Sequence, residues 1–234
     1  MTKAAYFDLD GTLVGTSLIQ PTAYYLLNQA SPLKTLQRFG RALFDAPRMA
    51  VAEMQDRRNF NEILFSHFRG MTEDRIEVLS REVFEDIIRP AIYSGAHDLI
   101  RQCKEGGFKV VIVTGSLDVT TRYVTQHLGA DYFIANRLEF KDGYATGKML
   151  HPLVAGPEKA KIIVEDAHIH GYDLKKCHAY SDSFSDVPML SVVGHAFCIN
   201  PSRKLKRLAQ AYRWPILDIN NEPPASFRKS HSNH

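Results

Sequence analysis

The sequence is short of cysteine, of long apolar runs and of net charge, and each shortage argues against a class of protein. Its three cysteines, Cys103, Cys177 and Cys198, are odd in number and far apart, without the paired spacing of a zinc site. A disulfide framework and a cysteine metal centre are therefore not expected, and a reducing compartment fits best. No apolar run approaches the ~18 residues that a membrane-crossing helix needs. A strand-like segment ending in carboxylates starts within ten residues of Met1, where a secretion signal would have to lie. A soluble, cytoplasmic protein is the expectation. The 29 basic and 26 acidic residues leave a formal charge of +3, too little to imply a nucleic-acid partner. Internal repeats and low-complexity tracts are lacking as well.

What is present points to a folded α/β protein. The hydrophobic share of 44% suffices for a core, and 234 residues suit one large α/β domain or a core domain carrying an insertion. The first strong pattern is Tyr6-Phe7-Asp8-Leu9-Asp10-Gly11-Thr12-Leu13. It reads as a buried strand, Ala4 to Phe7, that runs into two carboxylates and a Gly-Thr turn. In open α/β sheets ligands sit beyond the carboxyl ends of the strands, which puts Asp8 and Asp10 where chemistry is expected. Alternation along an extended chain turns both toward one side. Close carboxylates repel unless a proton or a cation lies between them, and an all-oxygen ligand set favours Mg²⁺. The plain alternative is a strand end and turn, where Asp and Gly are common for backbone reasons.

From Ser17 to Arg89 there is no convincing strand, only amphipathic helical patterns punctuated by Pro21, Pro32, Pro47 and Pro90. Four or so helices are expected there, with Pro90 marking the return to the core. From Ser94 onward helices and strands alternate. The expected strands are Phe108 to Val113, Asp131 to Ala135, Cys177 to Tyr180, His195 to Ile199 and Pro215 to Leu217, with a hairpin at Lys141-Asp142-Gly143. Such alternation gives a doubly wound parallel sheet. The expected division is an α/β core of residues 1–15 and 91–220, a helical cap of residues 16–90, and a polar, Pro-containing tail of residues 221–234 that is disordered.

Four polar groups then fall at one edge of the expected sheet or at a helix start beside it: Asp8 with Asp10, Thr114-Gly115-Ser116, Lys159, and Asp182 with Asp186. Each could be a simple cap or turn. Together they resemble the haloacid dehalogenase (HAD) superfamily in motif and order: D-x-D-G-T at Asp8 to Thr12, a hydrophobic run ending T-G-S at Ser116, an isolated Lys159, and D-x-x-x-D from Asp182 to Asp186. The branch most similar is the phosphoserine-phosphatase-like one, whose helical cap lies between the first two motifs. The resemblance covers the chain up to the tail.

It implies a Mg²⁺-dependent phosphatase acting on a small phosphate monoester. Asp8 would be the nucleophile and form an aspartyl phosphate. Asp10 would be general acid and base; it favours ester hydrolysis over the family's dehalogenases and ion pumps, which lack a carboxylate there. Thr114, Gly115, Ser116 and Lys159 would bind the phosphoryl oxygens, and Asp186 would orient Lys159 or a metal-bound water. Mg²⁺ would rest on Asp8, the main-chain carbonyl of Asp10, and Asp182. Phosphoserine itself is not the expected substrate. The family's phosphoserine enzymes carry a Glu nine residues after the nucleophile and an Arg in the cap, where this chain has Ser17 and, by alignment of Phe60 to His67, His67. Tyr24, Tyr25, Phe65 and Phe68 suggest a larger or less polar leaving group, or else cap core. A lipid-linked or lysophospholipid phosphate is the alternative substrate, and a non-catalytic phosphate-binding protein the alternative class.

Two basic stretches remain. Arg203 to Arg207 carries Leu205 within it and reads as a solvated helix face. The pattern Leu33, Leu36, Phe39, Leu43 and Phe44, with Lys34, Arg38 and Arg41 between, reads as a cap helix packed on its neighbours rather than one docked on a membrane. The oligomeric state has no sequence signature.

Overall fold

The structure is a computed structural model that describes residues 2–28 and 31–220; the tail expected to be disordered lies outside the described residues. Six parallel strands form the sheet: β1 (Lys3–Phe7), β2 (Phe108–Leu117), β3 (Tyr132–Asn136), β6 (His178–Ser181), β7 (His195–Ile199) and β8 (Ile216–Leu217). Their order is β3-β2-β1-β6-β7-β8. The chain therefore winds outward from β1 on one side and later outward from β6 on the other, and the switch point between β1 and β6 is where such sheets open a crevice.

Period-two alternation sorts the strand residues onto two faces. Ala5, Phe7, Val110, Ile112, Phe197 and Ile199 pack with Leu99, Ile100 and Cys103 of α5 (Ala96–Glu105) and with Val124 and Leu128 of α6 (Asp118–Leu128). Their neighbours Ala4, Tyr6, Val111, Val113, Ala196 and Cys198 face the other way. There they meet Ile162 and Ile163 of α7 (Pro157–His170), Met189 and Leu190 of α8 (Val187–Ser191), and Leu205 and Ala209 of α9 (Arg203–Tyr212). This is the doubly wound α/β sheet that the alternation implied, with both faces covered. Leu205 is fully buried, in keeping with a solvated basic face on the remainder of α9. The three cysteines are free and buried.

Among the described residues between β1 and α5 are four α-helices, α1 (Ile19–Leu27), α2 (Pro32–Gln55), α3 (Arg57–Ser66) and α4 (Glu73–Val83), followed by a π-helical turn, Phe84–Ile88, and a 3-10 turn, Arg89–Ala91. Phe60, Leu64, Phe65, Phe68, Ile76 and Leu79 form their common interior, continuous with the cluster on the α5–α6 face of the sheet. Tyr25 fastens the layer to the sheet side, its hydroxyl lying 2.6 Å from Ser80 Oγ and 2.7 Å from Thr120 Oγ1 of α6. A separate hairpin, β4 (Leu138–Lys141) and β5 (Tyr144–Met149), turns through Asp142 and Gly143, both at positive φ. Hydrogen bonds from Gly70 N–H to the Ala145 carbonyl and from Ala145 N–H to the Met71 carbonyl tie it to the α3–α4 connection.

Two sequence expectations are corrected here. Pro47 does not divide helices: α2 runs through it for 24 residues. Proline removes one N–H and leaves the Leu43 carbonyl without its helical donor, which is tolerable because Leu43 is exposed and water can serve that carbonyl. Four of the five apolar residues named for α2 are not packed on its neighbours either. Leu33, Leu36 and Leu43 are about two-thirds exposed and Phe44 is 83% exposed, so these four are on the outer surface; the side chain of Phe39 lies outside the described ones. No helix among the described residues is long and apolar enough to cross a membrane.

Candidate active site

The carboxyl ends of three adjacent strands converge. Phe7 of β1 pairs with Ile112 of β2 and Tyr180 of β6, so Asp8 emerges between the segments that follow those two partners. Its N–H bonds the Tyr180 carbonyl at 3.0 Å, holding the residue in register one step past the strand. Asp182 follows β6 in the same way, and Thr114-Gly115-Ser116 forms an irregular segment of β2 where the pairing with β3 shifts.

Lys159, in the first turn of α7, reaches across from the other side of the crevice. Its ammonium donates to Asp8 Oδ1 at 2.6 Å and to Asp186 Oδ2 at 3.0 Å, and all three side chains are buried. Ser181 Oγ donates to the same Asp186 oxygen at 2.8 Å. Burial opposes the ammonium charge, but Asp186 and Asp8 outweigh it and raise the Lys159 pKa. The carboxylates respond to the same confinement. Burial raises the Asp8 pKa, although Lys159 counteracts it. Burial, then the charge of Asp8, push Asp10 up to about 6, with the 2.8 Å bond from Ser116 Oγ holding it back. Burial and the charges of Asp8 and Asp186 push Asp182 up to about 7. One lysine does not neutralise this many carboxylates, which leaves room for a second cation.

Thr12 stands between the strand ends. Its Oγ1 lies 3.1 Å from Asp8 Oδ2 and 3.2 Å from Asp182 Oδ1, and it accepts the Asp182 N–H at 3.0 Å. The two carboxylates thus face each other across one hydroxyl. Among the described residues no three His, Cys, Asp or Glu side chains form a metal cage. Two facing carboxylates and a main-chain oxygen, with water completing the shell, are nonetheless what Mg²⁺ accepts, since it dehydrates reluctantly. The donor set fits the ion.

Gly11 makes the approach possible. At φ +82°, a Cβ there would overlap the Asp182 carboxylate. Gly11→Ala is expected to lose about 1–2 kcal/mol, from left-handed strain and from Asp182 turned away from Thr12, read as a lower denaturation midpoint. An unchanged midpoint would mean that Asp182 does not occupy this place.

Asp8, Asp10, Gly115, Lys159 and Asp186 line one small hollow of about 20 Å³. Larger hollows of about 400–560 Å³ lie elsewhere and include neither Asp8 nor Asp10. Thr114 and Ser116 stand just behind the wall, Thr114 Oγ1 accepting the Ser116 N–H at 3.0 Å. Asn136 braces that wall. It donates to the Gly115 carbonyl at 2.8 Å and accepts the Val154 N–H at 2.8 Å.

Two sequence-chosen residues lie away from the site altogether. Ser17 is exposed, with its N–H and hydroxyl both bonded to Gln20 Oε1 at 2.7 Å. His67 lies at the far end of α3, its Nε2 3.7 Å from Asp45 of α2. The aromatics do not line the hollow either. Tyr25, Phe65 and Phe68 pack with tilted rings in the interior of the helical layer, and Tyr24 donates to Asp86 at 3.0 Å. The sequence reading assigned no role to Arg57 and Asn61 of α3, which do line it, nor to Thr12, Ser181 and Asn136, which bond the residues around it. Thr12 carried a signal in its place in the Asp8 motif, and Asn136 one in the segment Asn136-Arg137-Leu138, which resembles the same branch.

Known proteins bear on this geometry. The chain is 37% identical over 222 residues to the "Inhibition of morphological differentiation protein" of Streptomyces azureus, covering 92% of this chain and 78% of that one. It is 33% identical to a "Probable phosphatase" of Mycobacterium tuberculosis, covering 96% and 77%. The crystal structure of an apo phosphoserine phosphatase superposes with a TM-score of 0.69 at 22% identity, covering 98% of this chain and 99% of the other, which shows a shared fold. Residues 5–191 match the family described as haloacid dehalogenase-like hydrolase, a span that holds the ends of β1, β2 and β6 that build this site, and the chain belongs to that family of hydrolases.

Proposed function

We propose that this protein is a Mg²⁺-dependent phosphatase that hydrolyses a small phosphate monoester through an aspartyl-phosphate intermediate, and that Asp8 is the nucleophile. The observation that carries this reading is Asp8 held at 2.6 Å by the buried Lys159, with the half-buried Asp10, its pKa pushed up to about 6, lining the same hollow. A binding module has no use for a nucleophile beside an acid. The relative named a phosphatase supports the same class.

In the first step an Asp8 oxygen attacks phosphorus as the bond to the leaving oxygen breaks. Asp10 gives that oxygen its proton, a role suited to a carboxyl with a pKa of about 6 near neutral pH. In the second step Asp10 takes a proton from water, whose oxygen displaces Asp8 and releases inorganic phosphate. Lys159, steadied by Asp186 and through it by Ser181, offsets charge on the nucleophile and then on the phosphoryl oxygens. Gly115, Thr114 and Ser116 shape the wall that those oxygens meet. Asp8, the Asp10 carbonyl and Asp182 would hold Mg²⁺, which would supply the positive charge that lets a dianionic ester approach a carboxylate. The helices of residues 16–90 act as the cap over this site.

Phosphate release from p-nitrophenyl phosphate tests the class. Activity is expected with Mg²⁺, lost in excess chelator, and not restored by Ca²⁺, whose larger and looser shell can take both oxygens of Asp8. Full activity in chelator would show that the carboxylates are not a metal site.

Phosphoserine is expected to be a poor substrate, with kcat/KM at least about tenfold below that of esters lacking the ammonium and carboxylate. Ser17 offers that ammonium no anion, and one lost charge-assisted contact is worth ~2 kcal/mol. The cap does supply a cation, Arg57, although not at the aligned His67. A preference for phosphoserine in side-by-side kinetics would overturn this reading.

A further inference from the structure

Helix α3 buries Phe60, Leu64 and Phe65, and one polar residue among them, Asn61, which is 1% exposed. Its side-chain Oδ1 has no hydrogen-bond partner among the described residues. Buried polar atoms are nearly always paired, and an unpaired amide oxygen on an otherwise apolar stripe is costly. This oxygen belongs to a side chain that lines the hollow together with Asp8, Asp10 and Arg57, which stands one helical turn before it. The Asn61 amide also presses on the wall: a Cβ on Gly115 would lie 3.1 Å from Asn61 Nδ2. Glycine at 115 thus lets the amide close against the segment beside the nucleophile.

Resting on the phosphatase reading above, we propose that Asn61 selects the leaving group by accepting a hydrogen bond from a donor, a hydroxyl or an ammonium, carried close to the ester oxygen. Asn61 belongs to the helical layer and Asp10 to the sheet edge, so the leaving group lies between the acceptor of one and the acid of the other. Arg57 brings positive charge to the same hollow and favours the ionised forms of Asp8 and Asp10. That charge suits the incoming phosphate and leaves the uncharged Asn61 oxygen to read the organic part. An alkyl leaving group would leave the oxygen buried and unpaired. A donor satisfies it.

Three esters on the same two-carbon stem separate the cases: ethyl phosphate, which has no donor, 2-hydroxyethyl phosphate and 2-aminoethyl phosphate. With Mg²⁺, the wild-type protein should prefer at least one of the two donor esters over ethyl phosphate by about tenfold or more in kcat/KM. The ranking of those two says whether hydroxyl or ammonium is read. In Asn61→Ala the ratio of preferred ester to ethyl phosphate should collapse toward one, while Asn61→Asp, which keeps the acceptor and adds charge, should shift it toward the amino ester. Equal use of all three by the wild type, or an undiminished ratio in Asn61→Ala, would overturn the assignment. If none of the esters, and no p-nitrophenyl phosphate, is hydrolysed, the phosphatase reading itself has failed. Calorimetric binding of the three esters to Asp8→Asn, with and without Asn61→Ala, still decides the Asn61 question: tighter binding of a donor ester that disappears with Asn61 upholds it, and equal binding overturns it.

Discussion

Asp8→Asn is expected to reduce turnover by at least about 10⁴-fold while leaving the fold intact. Loss of a covalent route forfeits several kcal/mol of barrier lowering, and each 1.4 kcal/mol is a factor of ten. The amide keeps the shape of Asp8 and its place after β1, where the main chain, not the carboxylate, makes the bond to Tyr180. Burial already works against the Asp8 charge, so removing that charge does not remove a mainstay of stability. Lys159 retains Asp186 as its partner. The expected result is thus a normal denaturation midpoint with no steady-state phosphate release, and no acid-stable phosphoprotein after mixing with substrate. A pure sample within tenfold of wild-type turnover would dispose of Asp8 as nucleophile.

The parts of this site that were legible in the sequence are those whose signal is local. Ala4 to Phe7 reads as a buried strand because four consecutive residues are apolar, and the structure buries all four against two different faces. Asp8 and Asp10 follow directly. Lys159 and Asp182 were legible through a pattern of order and type along the chain, carried by a family resemblance. Thr12 was inside that pattern, but its task depends on Asp182, 170 positions away, and no local feature states it. Asn136 is the same case: its partners Gly115 and Val154 are 21 and 18 residues distant. Arg57 and Asn61 were hidden for another reason. One turn of helix separates them, and only the packing of α3 decides which face meets the crevice and which meets solvent. Alignment by sequence chose His67 instead, and packing directs it to Asp45. The exposed stripe of α2 shows the converse limit, since amphipathic spacing says that a face is apolar but not what covers it.

Lys159→Met should damage both turnover and stability, and a second substitution should repair only one of them. The variant keeps the length of the side chain but leaves Asp8 and Asp186 buried without their shared cation. Breaking a buried ion pair by removing one partner costs roughly 3–5 kcal/mol, because the remaining charge is uncompensated. The sign of the pH dependence follows. Without Lys159 the folded-state pKa of Asp8, already raised by burial, rises further above its unfolded value, so stability is retained at low pH and lost as pH rises through that folded pKa. The deficit against wild type should accordingly be larger at pH 8 than at pH 5. Adding Asp186→Asn removes one of the two orphaned charges, and the double variant should regain much of the lost stability. Turnover should not return, since nothing then offsets charge on Asp8 or on the phosphoryl oxygens, and a loss of about 10²–10³-fold is expected from one missing donor of this kind. Denaturation midpoints at the two pH values, set beside phosphate release by the single and double variants, give the comparison. A single variant as stable as wild type would show that Lys159 does not neutralise a buried pair, and turnover regained in the double variant would show that its charge is not used on the substrate.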